Sequence, residues 1–283
     1  DNGWITQVTD ENGYRTCYGY DAMGRSNRIE YPNKATGACD AAETNWKKTV
    51  RSFVPVASVE YGIPAGHWRE TVTTGNATKI TYYDAMWRPL LVREYDAADP
   101  AGTQRFTRTA YDPEGRVAFQ SYPAGNSTPT TGTWTEYDAL GRVISSAQDS
   151  EQGLLVSTTE YLPGFQTRVT NPRGFQTVTS YQAYDQPTTD WPVAISAPEG
   201  QLTAITRDPY GKPLAIARGS TVRMYGYDSQ QQLCRSEEPE TGTTLYAYDA
   251  AGNLTGSAAG LPAGTACGTP NTRTVSRGYD ARN

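Results

Sequence analysis

The sequence predicts an all-β protein built from antiparallel hairpins repeated along one chain. Two observations carry that expectation. A short motif, Tyr-Asp-x-x-Gly-Arg, recurs as YDAMGR at 20–25, YDAMWR at 83–88, YDPEGR at 111–116 and YDALGR at 137–142. Weaker copies follow as YDQP at 184, RDPYGK at 207, YDSQQQ at 227, YDAAGN at 248 and YDARN at 279. Around each copy lie segments rich in β-branched and aromatic residues, such as WTEYD before one turn and RVISSAQD after it. Strand, turn residues and strand again make a hairpin signal. A motif used once reads as a site, whereas one used this often reads as architecture.

Each part of the motif has a reason to be there. The aspartate side chain at a strand end can bond backbone N–H groups inside the turn. Glycine at the third loop position supplies the positive φ of a three-residue hairpin loop with a bulge. Arginine opens the return strand, within reach of the aspartate or of an adjacent turn. These roles fall on Tyr20, Asp21, Gly24 and Arg25; on Tyr83, Asp84 and Arg88; on Tyr111, Asp112, Gly115 and Arg116; on Tyr137, Asp138, Gly141 and Arg142; and on Tyr248, Asp249 and Gly252. Trp87 and Gln231 stand where glycine is expected, so those two turns are expected to differ. In TAYDPEGRVAFQ, Tyr111, Val117 and Phe119 are expected to share one face of two paired strands.

The aspartates are spaced 63, 28, 26, 47, 23, 20, 21 and 31 residues apart. The step of 47 hides a degenerate copy at EYLPG (160–164), and the step of 63 holds an insertion at about 34–75. The period is thus that of a solenoid-type repeat, and residues 1–283 read as a single array, a fragment of a longer protein. Segments such as TDENGY, TNPRGF, SAPEGQ and EEPETGT (9–14, 170–175, 196–201, 237–243) supply the turns at the opposite edge. DAAETNWKK (40–48) is the one candidate helix, and it reads equally well as an ordered loop.

Composition narrows the function classes. Leu, Ile, Val and Phe number 40 of 283, too few for a deep aliphatic core; 20 Tyr and 6 Trp take their place, as suits sheets with one packed and one wet face. A net charge of −5 without a basic block gives no electrostatic footprint for nucleic acid. No apolar run is long enough to span a membrane as a helix, and the first residues carry no signal-peptide pattern.

EPETGTTLYAYDAAGNL (238–254) and VTDENGYRTCYGYDAMGR (8–25) pair such turns with the tyrosine–aspartate hairpins, and on them the chain resembles the Rhs/YD-repeat family. The resemblance covers nearly the whole chain apart from the insertion. It implies hairpins wound in a spiralling sheet that forms part of the wall of a hollow shell. In bacterial relatives the shell encloses a toxic C-terminal domain of the same polypeptide; in others it belongs to toxin complexes or adhesion receptors. The implied function is structural: a secreted or bacterial cell-surface shell wall, partnered by the rest of its own shell and an enclosed toxin domain. An adhesion or fibre-forming module, self-associating through open sheet edges, is the alternative.

An even number of cysteines in a repeat protein with extracellular relatives points to two disulfides. Cys17, Cys39, Cys234 and Cys267 allow three pairings. Pairing within neighbouring repeats favours Cys17–Cys39 and Cys234–Cys267, and four free thiols in a reducing compartment are the other reading. No catalytic, cofactor or metal constellation stands out. The turn carboxylates occur one per turn, whereas acid–base pairs must converge. His67 is alone, and zinc needs three or four clustered ligands. Tyr18, Tyr20, Trp134, Tyr137, Tyr246 and Tyr248 read as cross-strand packing rather than a ligand platform. Trp46, His67 and Trp68 mark the insertion as a partner contact.

Overall fold

The computed structural model describes residues 3–183, 188–268 and 274–280, so the YDQP copy lies outside the described residues. The chain divides into two units, Asp1–Val156 and Ser157–Asn283. In the first, the strands are β1 (Gln7–Thr9), β2 (Arg15–Tyr20), β3 (Ser26–Glu30), β4 (Thr49–Val56), β5 (His67–Thr74), β6 (Ala77–Tyr83), β7 (Pro89–Asp96), β8 (Arg105–Tyr111), β9 (Val117–Ser121), β10 (Gly132–Tyr137) and β11 (Val143–Ser150). Strand β12 (Gly153–Leu162) crosses the division. In the second come β13 (Gln166–Thr170), β14 (Gln176–Tyr181), β15 (Pro192–Ser196), β16 (Leu202–Arg207), β17 (Pro213–Arg218), β18 (Thr221–Tyr227), β19 (Leu233–Glu238), β20 (Gly242–Tyr248), β21 (Leu254–Leu261) and β22 (Thr274–Ser276).

The fold is all-β. Within the first unit, each strand from β1 to β11 pairs antiparallel with its sequence neighbour. The second unit repeats the pattern from β12 to β22. Successive turns of such a meander fall on alternate edges. In the first unit, Asp21, Asp84, Asp112 and Asp138 all lie on connections from an even to an odd strand, and so on one edge. Asp208, Asp228 and Asp249 do the same in the second unit, as does the degenerate turn at Pro163–Phe165 between β12 and β13.

The register slips by one residue at the tyrosine, or at Arg207 in its place, in each tyrosine–aspartate hairpin whose pairing is described: between Gly19 and Tyr20, Tyr82 and Tyr83, Ala110 and Tyr111, Glu136 and Tyr137, Thr206 and Arg207, Gly226 and Tyr227, and Ala247 and Tyr248. Such a bulge twists the hairpin locally. It also breaks simple alternation, because Ala110, not Tyr111, sits opposite Phe119.

The insertion is not irregular throughout. It contains the whole of β4 and β5, paired over eight residues from Thr49–Thr74 to Val56–His67. DAAETNWKK forms a loop, not a helix: the Asp40 carboxylate accepts from the Asn45 N–H at 2.7 Å and holds a turn there. The segment joining β4 to β5 lies on one face of the first unit. Ile63 from that segment packs with Ile80, Tyr82, Leu91 and Phe106 into a small core. His67 is buried and closes the loop, with Nδ1 2.9 Å from the Pro64 carbonyl and Nε2 3.4 Å from Glu60 Oε2. Arg69 also donates to Glu60, at 2.6 Å.

Candidate functional site: the tyrosine–aspartate turns

One turn shows the local chemistry. The Asp112 N–H donates to the Arg116 carbonyl at 2.9 Å, and the Gly115 N–H donates to the Asp112 carbonyl at 3.0 Å. The Asp112 carboxylate then accepts the Arg116 N–H on Oδ1 at 2.8 Å and Arg116 Nε on Oδ2 at 2.6 Å. Gly115 has φ 85°. The same backbone pair forms at Asp21, Asp84, Asp138, Asp208, Asp228 and Asp249. Asp10 and Asn171, at the other edge, build the identical loop with their own side-chain oxygens. The turn is thus a property of an Asp or Asn five residues wide, and the tyrosine adds something else.

Two turns were expected to differ and do not. Trp87 (φ 64°) and Gln231 (φ 65°) take the left-handed conformation of the missing glycine, and each N–H still reaches its aspartate carbonyl. The side-chain oxygen of the aspartate binds enough of the loop to hold a residue there against its preference. A left-handed L-residue costs roughly 1–2 kcal/mol, partly offset by the lower entropy cost of ordering a non-glycine. Gln231→Gly is therefore expected to raise the unfolding free energy by about 0.5–1 kcal/mol. A urea titration showing no gain, or a loss, would contradict this.

The carboxylates are held in the charged form. At Asp21 and Asp138 the backbone N–H groups of Arg25 and Arg142, then their guanidinium groups, pull the carboxyl below its ordinary value of 3.8. At Asp249 the Asn253 N–H and side-chain amide do so. At Asp84 and Asp112 burial pushes the carboxyl up, and the N–H and guanidinium of Arg88 and Arg116 outweigh it. A folded value below the unfolded one gives stability that is complete above the unfolded value and disappears as pH falls through the folded one. The thermal midpoint is thus expected to stay level from neutral pH to about pH 4 and to fall below it. A midpoint that rises on acidification below that point would show that these turns do not contribute.

The tyrosines join one repeat to the last. Tyr111 Oη donates to the Pro89 carbonyl at 3.1 Å, and Tyr137 Oη to that of Val117 at 3.0 Å. Tyr227 reaches Pro213, Tyr248 reaches Leu233 and Tyr279 reaches Leu254. Each accepting residue directly follows the last residue of the preceding motif. That last residue covers the ring: Arg88 lies 4.6 Å from the Tyr111 centroid, Arg116 4.5 Å from Tyr137, and Lys212 5.0 Å from Tyr227. Arg116 continues to the Asp138 carbonyl at 3.2 Å. One arginine thus clamps its own turn and stacks on the next, a use of its planar, forked head. Burial pushes the hydroxyls of Tyr111, Tyr227 and Tyr248 up, so they remain donors.

Where the motif degenerates, other residues take these places. Arg207 replaces the tyrosine, and its Nε donates to the Pro192 carbonyl at 3.1 Å. Trp191 lies over Gly211, and Trp4 over Gly24, where an added Cβ would meet each indole at 2.6 Å. The Ile5 carbonyl, next to Trp4, accepts from Tyr20 Oη at 2.7 Å. Arg25 stacks on Phe53 at 4.7 Å, and Phe53 packs against Trp68 and Trp87 at 5.1 and 4.9 Å. Tyr83, which follows the insertion, donates instead to Glu70 Oε2 at 2.9 Å. Trp4, Trp191 and Phe53 were not singled out from sequence; a bulky residue followed by an apolar one, in the place of Arg-Pro or Arg-Val, is the signal that marks Trp4 and Trp191.

The remaining candidates are placed as follows. Cys17 on β2 bridges to Cys39, and Cys234 on β19 bridges to Cys267, with Cα separations of 5.8 and 5.4 Å. Each bridge fastens a loop to the sheet: Arg15 N–H donates to the Gly37 carbonyl beside the first, and Gly264 N–H to Glu237 beside the second. Of the insertion residues marked for partner contact, His67 is buried and Trp68 is packed in the ring cluster. Trp46 is exposed, under Lys34 at 4.6 Å. Among the described residues no group of three or more metal-ligating side chains converges.

An antiparallel meander whose repeats are locked by Tyr-Asp turns defines the class: a repeat protein of β-hairpins. Residues 1–36 match the family model of the RHS repeat. The crystal structure of TcdB2–TccC3 without its hypervariable C-terminal region is similar over 89% of this chain, at 16% identity and a TM-score of 0.50. This chain spans 14% of that one, and the likeness concerns fold. The structure of a mutant Photorhabdus luminescens Tc holotoxin pore is similar over 88% of this chain and 18% of its own, at 13% identity and a TM-score of 0.30. No curated protein matches.

Proposed function

We propose that the chain is a stretch of wall in a secreted or surface-exposed Rhs/YD shell, and that the shell encloses and delivers a toxin domain of the same polypeptide. The observation that supports it most is the link from the hydroxyls of Tyr111, Tyr137, Tyr227, Tyr248 and Tyr279 to a carbonyl of the preceding repeat. Such a link makes successive hairpins one stiff sheet, as a container wall requires and a catalytic site does not. The turn carboxylates act within their own loops, which favours a structural over a catalytic role. Two disulfides suit an oxidising compartment. The test is to sequence the parent gene on both sides and express its full product. Further YD repeats, followed by an unrelated domain that resists protease until the shell is denatured, support the reading. A reading frame with no such domain overturns enclosure and leaves adhesion or fibre formation.

A further inference from the structure

We propose that the first unit carries a binding cleft for a carboxylated sugar, of the hexuronic acid class, on the face covered by the insertion. The face is set by register. Arg108 on β8 lies opposite Leu91, and two residues on, Ala110 lies opposite Phe119, which lies opposite Trp134. These side chains therefore alternate onto one side of the sheet. Two loops rise above it. Tyr61, from the insertion, is fixed by its rings' contacts with Tyr82 and Phe106 at 5.5 and 5.4 Å and by Arg93, which donates to its hydroxyl at 3.1 Å. The connection from β9 to β10 is tied down by the Ala124–Phe106 bridge and by Tyr122, which donates to the Asp149 carbonyl at 3.2 Å. Between them lies a cleft of about 710 Å3.

The lining selects a ligand by chemistry. Its floor is Phe119 and Trp134, with ring centroids 5.0 Å apart and planes tilted by 37°. Aromatic faces are partly negative and suit the C–H face of a pyranose. Arg108 is the one charged residue of the lining, with no acid beside it. Its backbone N–H donates to Ser121 Oγ, and among the described residues its guanidinium has no ion-pair or hydrogen-bond partner. A half-buried, unpartnered guanidinium calls for a planar anion, and a carboxylate fits its fork. The β9–β10 connection adds the hydroxyl residues Ser127, Thr128 and Thr130, with Pro129 among them. A ring with one carboxylate, several hydroxyls and an apolar face matches all three features.

The experiment titrates the chain with a galacturonate trimer, with neutral galactotriose and with a glutamate-rich peptide, by calorimetry and tryptophan fluorescence. An open cleft with one cation is expected to give a Kd of about 0.1–1 mM for the galacturonate. Arg108→Gln is expected to weaken it at least about tenfold, and Arg108→Lys by less, because charge remains without the fork. Circular dichroism confirms that both variants are folded. Equal binding of galactotriose, tighter binding of the peptide, an unchanged Arg108→Gln, or no galacturonate binding up to about 5 mM each overturns the proposal.

Discussion

Replacing Leu91 by alanine is expected to lower the unfolding free energy by about 3–5 kcal/mol. Leu91 is 1% exposed and stands in the centre of the only sizeable apolar cluster among the described residues of the first unit, between Tyr82 on β6 and Phe106 on β8. The loss combines the transfer of the removed atoms with the cavity they leave. Neighbours are poorly placed to fill it, because Ile63 is held by a loop closed through His67 and Glu60. Urea unfolding of the variant, with hydrogen exchange of β6 to β8, is the measurement. A loss below about 1 kcal/mol would mean that the cluster collapses freely and that the tyrosine links, not the core, hold this unit.

Cutting the second disulfide is expected to have a comparable effect. Cys234 and Cys267 are 33 residues apart, and a closed loop of that size restricts the unfolded chain by about 3–4 kcal/mol in the chain-entropy model. The replacement of both by serine leaves the strands paired but frees the loop after β21, which otherwise reaches Glu237 and Arg235. The double variant should therefore unfold at lower urea and become susceptible to protease between Pro262 and Gly268. Unchanged stability with unchanged protease resistance would show that packing alone fastens the loop.

The turns were legible in the sequence because their chemistry is local: an aspartate, a loop of fixed length and usually a glycine specify the hairpin within six residues. Trp87 and Gln231 show the limit of that reading, since the aspartate carboxylate can hold the turn without glycine's freedom. The links between repeats were not legible. They join atoms 14–25 residues apart, such as Tyr111 to Pro89 and Tyr279 to Leu254, and depend on the stagger of the sheet. The strands of the insertion were missed because no Tyr-Asp turn marks them; HWRETVTT and TVRSFVPV are strand-like in composition, but their connection is a loop built around Ile63 and His67. The candidate cleft was equally hidden, for Arg108, Phe119 and Trp134 meet only through strand register.

The parity of the connections sets how such a protein can change in length. A single added strand would carry every later tyrosine–aspartate turn to the wrong edge and part each tyrosine from its carbonyl. Only additions of two strands keep the ladder aligned. The one large insertion in this chain obeys that arithmetic: it adds β4 and β5 as a pair, and Arg25 still finds an aromatic ring, Phe53, to stack on. Gain and loss of material in such a meander should therefore proceed by whole hairpins. An engineered deletion of residues 34–75 is accordingly a smaller disruption to the ladder than removal of either strand alone.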